Sequence, residues 1–98
     1  MFEIGLGQNG RIEFSGRLDA AQCEKAQAFL DAAGGPAEFD FGRLEYISSA
    51  GLGLLLKAHK RLMAGGGRLR LVNVNSHIHD IFKFSGFDQV FDVERATG

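Results

Sequence analysis

Apolar and polar residues alternate at the start of the chain. The alternation covers residues 2–6, stops at Gln8-Asn9-Gly10, and resumes over residues 11–15. A repeat of two residues is typical of a half-buried strand, and Asn-Gly is a preferred turn between adjacent strands. The N-terminal segment therefore predicts a β-hairpin with an Asn-Gly turn.

A helical pattern follows the hairpin. Asp19 and Gln22 have the spacing of a capping box, in which the N-cap and N3 side chains satisfy each other's backbone donors. From Ala20 to Ala33 the chain is rich in helix-forming residues, with apolar side chains at helical spacing, and Gly34-Gly35 ends the pattern. We expect a helix that starts at Asp19, with a new segment beginning at Pro36.

Strand and helix patterns then alternate. The alternation over Ala37–Phe41 predicts a short strand, and the run Leu44–Ile47 leads to Ser48-Ser49, where the next helix begins. Over Ala50–Ala64 one apolar stripe lies opposite a basic face, and Gly65-Gly66-Gly67 ends the helix. The stripe consists of Leu52, Leu55, Leu56, Leu62 and Met63.

The last third of the chain contains three more patterns. The apolar run Leu69–Val74 predicts a strand inside a sheet that is covered by helices. Asn75-Ser76 is expected to cap a third helix over His77–Ser85. Residues 90–93 indicate a short last strand, and the tail 94–98 is expected to be frayed.

The predicted order of elements is β-β-α-β-α-β-α-β. Regular alternation of strands and helices implies parallel crossovers in a mixed sheet of four to five strands, with helices packed against it. A chain of 98 residues, 45% of them hydrophobic, suffices for one modest apolar core. We therefore expect a single α/β domain over residues 1–98.

Composition and charge narrow the choice of partners. The formal net charge of -1 provides no overall positive field that would attract nucleic acid. The apolar run Ala50–Leu56 is much shorter than the ~20 residues of a membrane span, and Met1–Leu6 does not resemble a signal peptide. A single cysteine, Cys23, cannot form an internal disulfide. The expectation is a cytoplasmic protein with no nucleic-acid partner and no direct membrane insertion.

Three other motifs favour structural roles. His77-x-His79-Asp80 has metal-binding residue types, but positions i and i+2 of a helix point about 200° apart. Gly51-Leu52-Gly53 lacks a third glycine, and Gly65-Gly66-Gly67 lacks a following Lys-Ser or Lys-Thr, so neither is a nucleotide-binding motif. His59 lies on the apolar stripe, as a boundary histidine or a partner contact. We expect no metal, no cofactor and no catalytic residue.

The segment Ser48–Gly53 lies at the predicted junction of strand and helix. The first N–H groups of a helix lack intrahelical partners and its dipole favours negative charge, so a hydroxyl there can hold a phosphate. Gly51 and Gly53 keep side chains out of the first turn, where a partner or a phosphoryl donor could approach the backbone. Serine is also a common N-cap, so these residues leave a structural and a functional role open.

Three segments together resemble the STAS domain, a family named for sulfate transporters and anti-sigma-factor antagonists. Gly16-Arg17-Leu18-Asp19 is similar to the family's Gly-x-Leu-Asp motif before its first helix. Phe39–Phe41 with Leu44–Leu55 is similar to its signature strand, loop and helix, and Ile81–Asp88 to its closing helix. The segments occur in the family's order over residues 16–88, and the resemblance implies a STAS-like α/β fold.

The resemblance implies a regulator of bacterial transcription and not an enzyme. In bacterial antagonists of the family, an anti-sigma factor that is a serine kinase phosphorylates the serine two positions before the signature glycine, here Ser49. The unphosphorylated antagonist sequesters the kinase and frees the sigma factor, and a serine phosphatase reverses the modification. Many phosphorylated members have Asp where this chain has Ser48. Ser48 is itself a candidate for secondary phosphorylation.

The expected partner-binding surface is the loop from Tyr46 to Gly53 with the first turns of the following helix, and Asp19 and the Gly16-Arg17 loop lie beside it. Asp19 would orient the Ser49 hydroxyl, contact the partner, or only cap the helix. Two alternatives remain: a STAS subunit that binds the ATPase of a phospholipid ABC-type transport assembly, or a non-switching scaffold, sensor component or small-ligand binder. The expected contact residues are Asp19, Tyr46, Ile47, Ser48, Ser49, Ala50, Gly51, Leu52 and Gly53.

Overall fold

The computed structural model describes residues 1–34 and 37–96. Its five strands are β1 (Phe2–Leu6), β2 (Ile12–Leu18), β3 (Glu38–Ile47), β4 (Arg70–Val74) and β5 (Asp92–Arg95). Its three α-helices are α1 (Cys23–Ala33), α2 (Ser49–Ala64) and α3 (Ser76–Ser85). Short 3₁₀ turns occur at Gln8–Gly10, Ala20–Gln22 and Phe87–Gln89. The predicted α/β class and order of elements are confirmed.

The five strands form one sheet in the order β1-β2-β3-β4-β5. β1 is antiparallel to β2, with Ile4 opposite Phe14, so the N-terminal hairpin is confirmed. The pairs β2–β3, β3–β4 and β4–β5 are parallel. Each parallel connection moves one strand in the same direction, and right-handed crossovers therefore place all three connecting helices on one face of the sheet.

The apolar core lies between that face and the helices. All three helices contribute buried side chains to a single cluster, including Leu30 of α1, Leu55 of α2 and Phe82 of α3. Aromatic rings connect the strands within it, because Phe14 meets Phe41 edge to face at 5.0 Å. The fully buried residues that β2 and β3 contribute by strict alternation are Ile12, Phe14, Phe39 and Phe41.

The opposite face of the sheet carries ion pairs between neighbouring strands. Glu38 of β3 accepts hydrogen bonds from Arg11 Nε at 2.9 Å and from an Arg70 Nη at 2.7 Å. Arg70 of β4 also pairs with Asp92 and Glu94 of β5. The expectation of a sheet covered by helices is therefore right for one face only, and a charged network across the strands occupies the other.

The first helix begins later than predicted. Asp19 makes no side-chain capping hydrogen bond, and the 3₁₀ turn Ala20–Gln22 separates it from α1. The predicted capping box is wrong, because the Gln22 N–H donates to the Asp19 main-chain carbonyl, at 3.0 Å, and not to its side chain. The end of the helix at Gly34 is confirmed by a left-handed φ of 81°. Gly35 and Pro36 lie outside the described residues.

α2 buries a wider face than the predicted stripe. It packs against both α1 and β3, so that Leu54 and His59 are buried, whereas Met63 in the last turn is 56% exposed. The inclusion of Met63 in the buried stripe is therefore wrong. The His59 ring lies edge to face against Phe91, with 5.5 Å between the centroids. His59 is thus a packing residue of the core boundary.

β3 is longer than predicted, and β5 has the predicted length but begins two residues later, so Val90 and Phe91 precede the strand. The two stretches before the serine pair form one strand of 10 residues. Residues 94–95 belong to β5, and the Ala96 N–H donates to the Val74 carbonyl oxygen at 2.9 Å. The expectation of a frayed tail is wrong as far as Ala96, because pairing with β4 orders this segment. Residues 97–98 lie outside the described part of the chain.

We predict that Glu38→Gln removes a pH-dependent contribution to stability. The hydrogen bond from Arg11, together with the charges of Arg11 and Arg70, holds the pKa of the Glu38 carboxyl below its usual value. The stabilisation is therefore complete above the usual carboxyl pKa of about 4.3 and is lost as the pH falls through the lower pKa of the folded protein. Urea denaturation should show a loss of about 0.5–1 kcal/mol at neutral pH that disappears in acid.

The matched control is Glu45→Gln, which changes an exposed carboxylate on the same strand. Among the described residues Glu45 belongs to none of the ion pairs. Its free energy of unfolding should stay within a few tenths of a kcal/mol of wild type. Equal losses for both variants, at every pH, would contradict the role of the Glu38 network.

Candidate functional site

β2 and β3 end at the same edge of the sheet, and α2 begins there. The register pairs Arg17 with Tyr46 and Leu18 with Ile47. One residue further, the Ser48 N–H donates to the Leu18 carbonyl oxygen at 2.9 Å. Two segments far apart in sequence, residues 16–19 and 46–53, are thereby brought together, and we call them the serine edge.

The two serines have different environments. Ser48 has extended backbone angles, and its Oγ accepts a hydrogen bond from the Gly51 N–H at 3.2 Å, so it is the N-cap of α2. Ser49 is the first residue of the helix and is exposed. The predicted helix start at the serine pair is confirmed. One hydroxyl completes the helix end, and the next one faces solvent.

The electrostatics at Ser49 favour a negative group. α2 is 16 residues long, and its first turn contains no acidic residue. The N–H groups of that turn lack intrahelical acceptors, and the helix dipole is positive at this end. An anion carried on the Ser49 Oγ would therefore be stabilised by the helix on which it is placed.

Three residues predicted to contact a partner are instead buried. Ile47 is 2% exposed and Leu52 8% exposed, since both side chains belong to the core. Gly51 is also buried, and a Cβ there would lie 2.7 Å from Ile47 Cγ1 and 3.1 Å from the Leu18 carbonyl oxygen. Gly51 thus permits α2 to approach β2, and the prediction that these three residues face a partner is wrong.

The remaining predicted contact residues are at least partly accessible. Ser49, Ala50 and Gly53 are exposed, and Tyr46, Ser48 and Asp19 are partly buried. A Cβ on Gly53 would meet no atom within 4 Å, so the space above the first turn is open. The accessible part of the serine edge is therefore formed by the outer side of the first turn of α2 and the ends of β2 and β3.

Asp19 has an unusual environment at this edge. Its Oδ1 is buried and has no hydrogen-bond partner among the described residues, so it neither caps a helix nor holds the Ser49 hydroxyl. Its main-chain carbonyl accepts from the Cys23 Sγ at 3.4 Å. Burial, followed by the charge of Asp19, raises the pKa of the Cys23 thiol.

Arg17 belongs to the Gly16-Arg17 loop that was expected beside the contact surface, but its contact with Tyr46 was not predicted. Its guanidinium carbon lies 4.4 Å from the centroid of the Tyr46 ring. The Arg17 main-chain N–H donates to the Met1 carbonyl oxygen at 3.0 Å, and this hydrogen bond fixes the backbone at Arg17. Only the register of β2 against β3 could have revealed the contact, because the two residues are far apart in sequence.

The described residues contain no group of three or more His, Cys, Asp or Glu side chains placed to hold a metal ion. None of the helices within residues 1–34 and 37–96 is long and apolar enough to cross a membrane. His77 and His79 lie in the first turn of α3, where His77 is exposed and His79 is partly buried.

Comparison with known proteins identifies the family. The family model described as Mlab, STAS domain matches residues 5–93, and the chain belongs to the STAS domain family. The chain is 38% identical over 82 residues to BtrV of Bordetella bronchiseptica, which is provisionally named an anti-sigma factor antagonist. That match covers 80% of this chain and 71% of BtrV.

Solved structures have the same fold. An anti-sigma factor antagonist from Mycobacterium paratuberculosis superposes with a TM-score of 0.76 at 19% identity, covering 96% of this chain and 84% of that one. The phosphorylated form of the Bacillus cell fate determinant SpoIIAA superposes with a TM-score of 0.68 at 27% identity, covering 99% and 92%. The STAS-like fold implied by the sequence resemblance is confirmed.

The contacts of Gly51 predict opposite effects for two glycine substitutions in one helix turn. Gly51→Ala should destabilise the protein by about 1–3 kcal/mol, because the new methyl group overlaps Ile47 and the Leu18 carbonyl. Gly53→Ala should stabilise it by about 0.5–1 kcal/mol, because the methyl group enters open space and alanine favours the helix. Chemical denaturation measures both, and equal effects would contradict the assigned packing.

The capping role of Ser48 predicts a second difference. Ser48→Ala should cost about 1 kcal/mol, because the Gly51 N–H loses its acceptor, whereas Ser48→Asp retains an acceptor and should cost little. Ser49→Ala, the matched control, removes an exposed hydroxyl and should leave the free energy of unfolding nearly unchanged. Equal losses for Ser48→Ala and Ser49→Ala in thermal or urea unfolding would disprove the assignment of the cap.

Proposed function

We propose that this protein is an anti-sigma-factor antagonist whose binding to an anti-sigma serine kinase is switched by phosphorylation of Ser49. The observation that carries the proposal is the division between the serines: Ser48 Oγ is engaged as N-cap, while Ser49 is exposed at the N-terminus of α2. The names of BtrV and of phosphorylated SpoIIAA support it. In this proposal the protein is a substrate and a binding module, not an enzyme, and it acts in the cytoplasm.

Unphosphorylated protein would dock through the accessible part of the serine edge. Ser49, Ala50 and Gly53 present small or absent side chains, so a partner can approach the first turn of α2 closely. Asp19 Oδ1 is buried without a donor, an arrangement that is costly until a donor is supplied. In the proposed complex a hydrogen-bond donor of the kinase binds the Asp19 Oδ1.

Phosphorylation would separate the two proteins by charge. The kinase transfers the γ-phosphoryl group of ATP to the Ser49 Oγ, with release of ADP and of the hydroxyl proton. The phosphate adds about 1.5 to 2 negative charges at neutral pH. The N-terminus of α2 stabilises that charge in the free protein, but docking would strip its water and bury it against the partner. A serine phosphatase would restore the binding form.

The helix cap also favours Ser49 over Ser48 as the residue that is modified. Ser48 Oγ accepts from the Gly51 N–H and is partly buried, so a kinase would have to displace the cap to reach it. Ser49 requires no such rearrangement. We therefore propose Ser49 as the principal phosphorylated residue, with Ser48 at most a secondary one.

The test is capture of partners from lysate of the native cell with tagged wild type, Ser49→Ala, Ser49→Asp and Ser48→Asp. A kinase-fold protein should bind wild type and Ser49→Ala and be lost, by at least tenfold, with Ser49→Asp. Ser48→Asp is the matched control, because it places a carboxylate one residue earlier as a helix cap, and it should retain most of the binding. Incubation with ATP should add one phosphate to the Ser49 peptide, measured by mass spectrometry.

Two results would reject the proposal. A transport ATPase captured equally by wild type and Ser49→Asp would identify a constitutive subunit of a transport assembly. Unmodified Ser49 after incubation with ATP and the captured proteins, together with binding that Ser49→Asp does not alter, would identify a non-switching scaffold.

A further inference from the structure

Arg17 is an exposed arginine of the serine edge that the proposed switch does not use. The ion pairs among the described residues involve Arg11, Arg61 and Arg70, and none of them involves Arg17. Its guanidinium group instead lies over the Tyr46 ring at 4.4 Å. A cation–π contact at an exposed site is weak, so this cation can be withdrawn by a stronger partner.

The main chain limits the distance between Arg17 and Ser49. The carbonyl oxygen of Leu18, the residue after Arg17, accepts from the Ser48 N–H at 2.9 Å. The same oxygen would be 3.1 Å from a Cβ on Gly51. Leu18 therefore contacts residues on both sides of Ser49, and standard backbone spacings limit the distance between the Arg17 and Ser49 Cα atoms to about 14 Å. Leu18 and Ile47 belong to the core, so the adjacent Arg17 and Tyr46 side chains alternate to the other side of the sheet, and an extended Arg17 would pass around the end of β2 to meet a phosphate on Ser49.

We propose that phosphate on Ser49 draws the Arg17 guanidinium away from Tyr46 into an ion pair, so that phosphorylation changes both the charge and the shape of the serine edge. The inference rests on the proposed modification of Ser49 and deepens it. A guanidinium binds a phosphate through two charge-assisted hydrogen bonds, which are stronger than an exposed cation–π contact. Asp19 lies in the serine edge, and Glu45 directly precedes its second segment. Their negative charges repel a phosphate on Ser49, and a cation beside the phosphate would offset this repulsion.

The rearrangement has a consequence for the partner. In the unphosphorylated protein Tyr46 is covered and Arg17 presents a positive charge at the edge of the contact surface. In the phosphorylated protein the ring is uncovered and the positive charge is neutralised. A partner that recognises the first arrangement thus loses two features at once, in addition to meeting the phosphate.

Tyr46 supplies a built-in reporter for the test. It is the only tyrosine, and the chain contains no tryptophan, so intrinsic fluorescence reports on this ring alone. Phosphoserine is incorporated at position 49 during translation, which makes the experiment independent of any kinase. Phosphate should change the Tyr46 emission in wild type and leave it unchanged in Arg17→Gln. The unphosphorylated Arg17→Gln protein should already show the emission of an uncovered ring.

Phosphorus NMR gives a second readout on the same proteins. The second ionisation of phosphoserine, ordinarily near pH 6, should occur at lower pH with Arg17 than in Arg17→Gln, with Arg17→Lys between them. Added salt should reduce the difference. The matched control is Arg68→Gln, an exposed arginine between α2 and β4 at the opposite edge of the sheet, which should change neither readout.

The outcomes separate this inference from the proposed function. If Arg17→Gln and wild type show the same emission change and the same phosphate titration, the Arg17 contact is disproved, and the switch at Ser49 is unaffected. If the incorporated phosphate moves Arg17 but no kinase modifies Ser49, the contact stands and the proposed function fails.

Discussion

The hydrogen bond from the Ser48 N–H to the Leu18 carbonyl oxygen, 2.9 Å long, determines where the serine edge forms. It extends the parallel pairing of β2 and β3 by one residue beyond the last paired positions. α2 must then begin directly above the end of β2, and Gly51 allows the close approach because a larger residue would overlap Leu18 and Ile47. The exposure of Ser49 follows from this junction, since the cap and the buried glycine occupy the inner side of the turn.

The distribution of helices leaves this edge accessible. Right-handed crossovers that all step in one direction place α1, α2 and α3 on a single face, where one aromatic-rich core fixes them. The other face is stabilised by ion pairs of Glu38 with Arg11 and Arg70, and of Arg70 with Glu94. Neither the helix layer nor the ion pairs cover the ends of β2 and β3 at the serine edge. A binding surface can therefore form there on a rigid scaffold, which favours recognition by a protein partner.

Several residues of the site were predictable from local pattern. The serine pair followed by an amphipathic stretch predicted the start of α2, and the structure places the N-cap at Ser48. The resemblance to STAS domains predicted the fold, which the family match and the structural neighbours confirm. Gly51 was misinterpreted as an opening for a partner, since sequence does not tell which side of a helix turn faces another strand. Asp19 was misinterpreted as a cap because the local pattern did not indicate the 3₁₀ turn Ala20–Gln22 that separates it from α1.

Interactions between residues close in sequence therefore suffice to predict the elements, their order and the start of α2 at the serine pair. Hydrophobic periodicity and unsatisfied helix donors depend only on neighbours within a few residues. The pairing of Arg17 with Tyr46, the buried Asp19 oxygen and the contact of Gly51 with Leu18 depend on the register of β2 against β3 and on how α2 sits above it. Each joins residues far apart in sequence. Such contacts are decided only when the core packs, since packing, and not local preference, sets the register and the helix position.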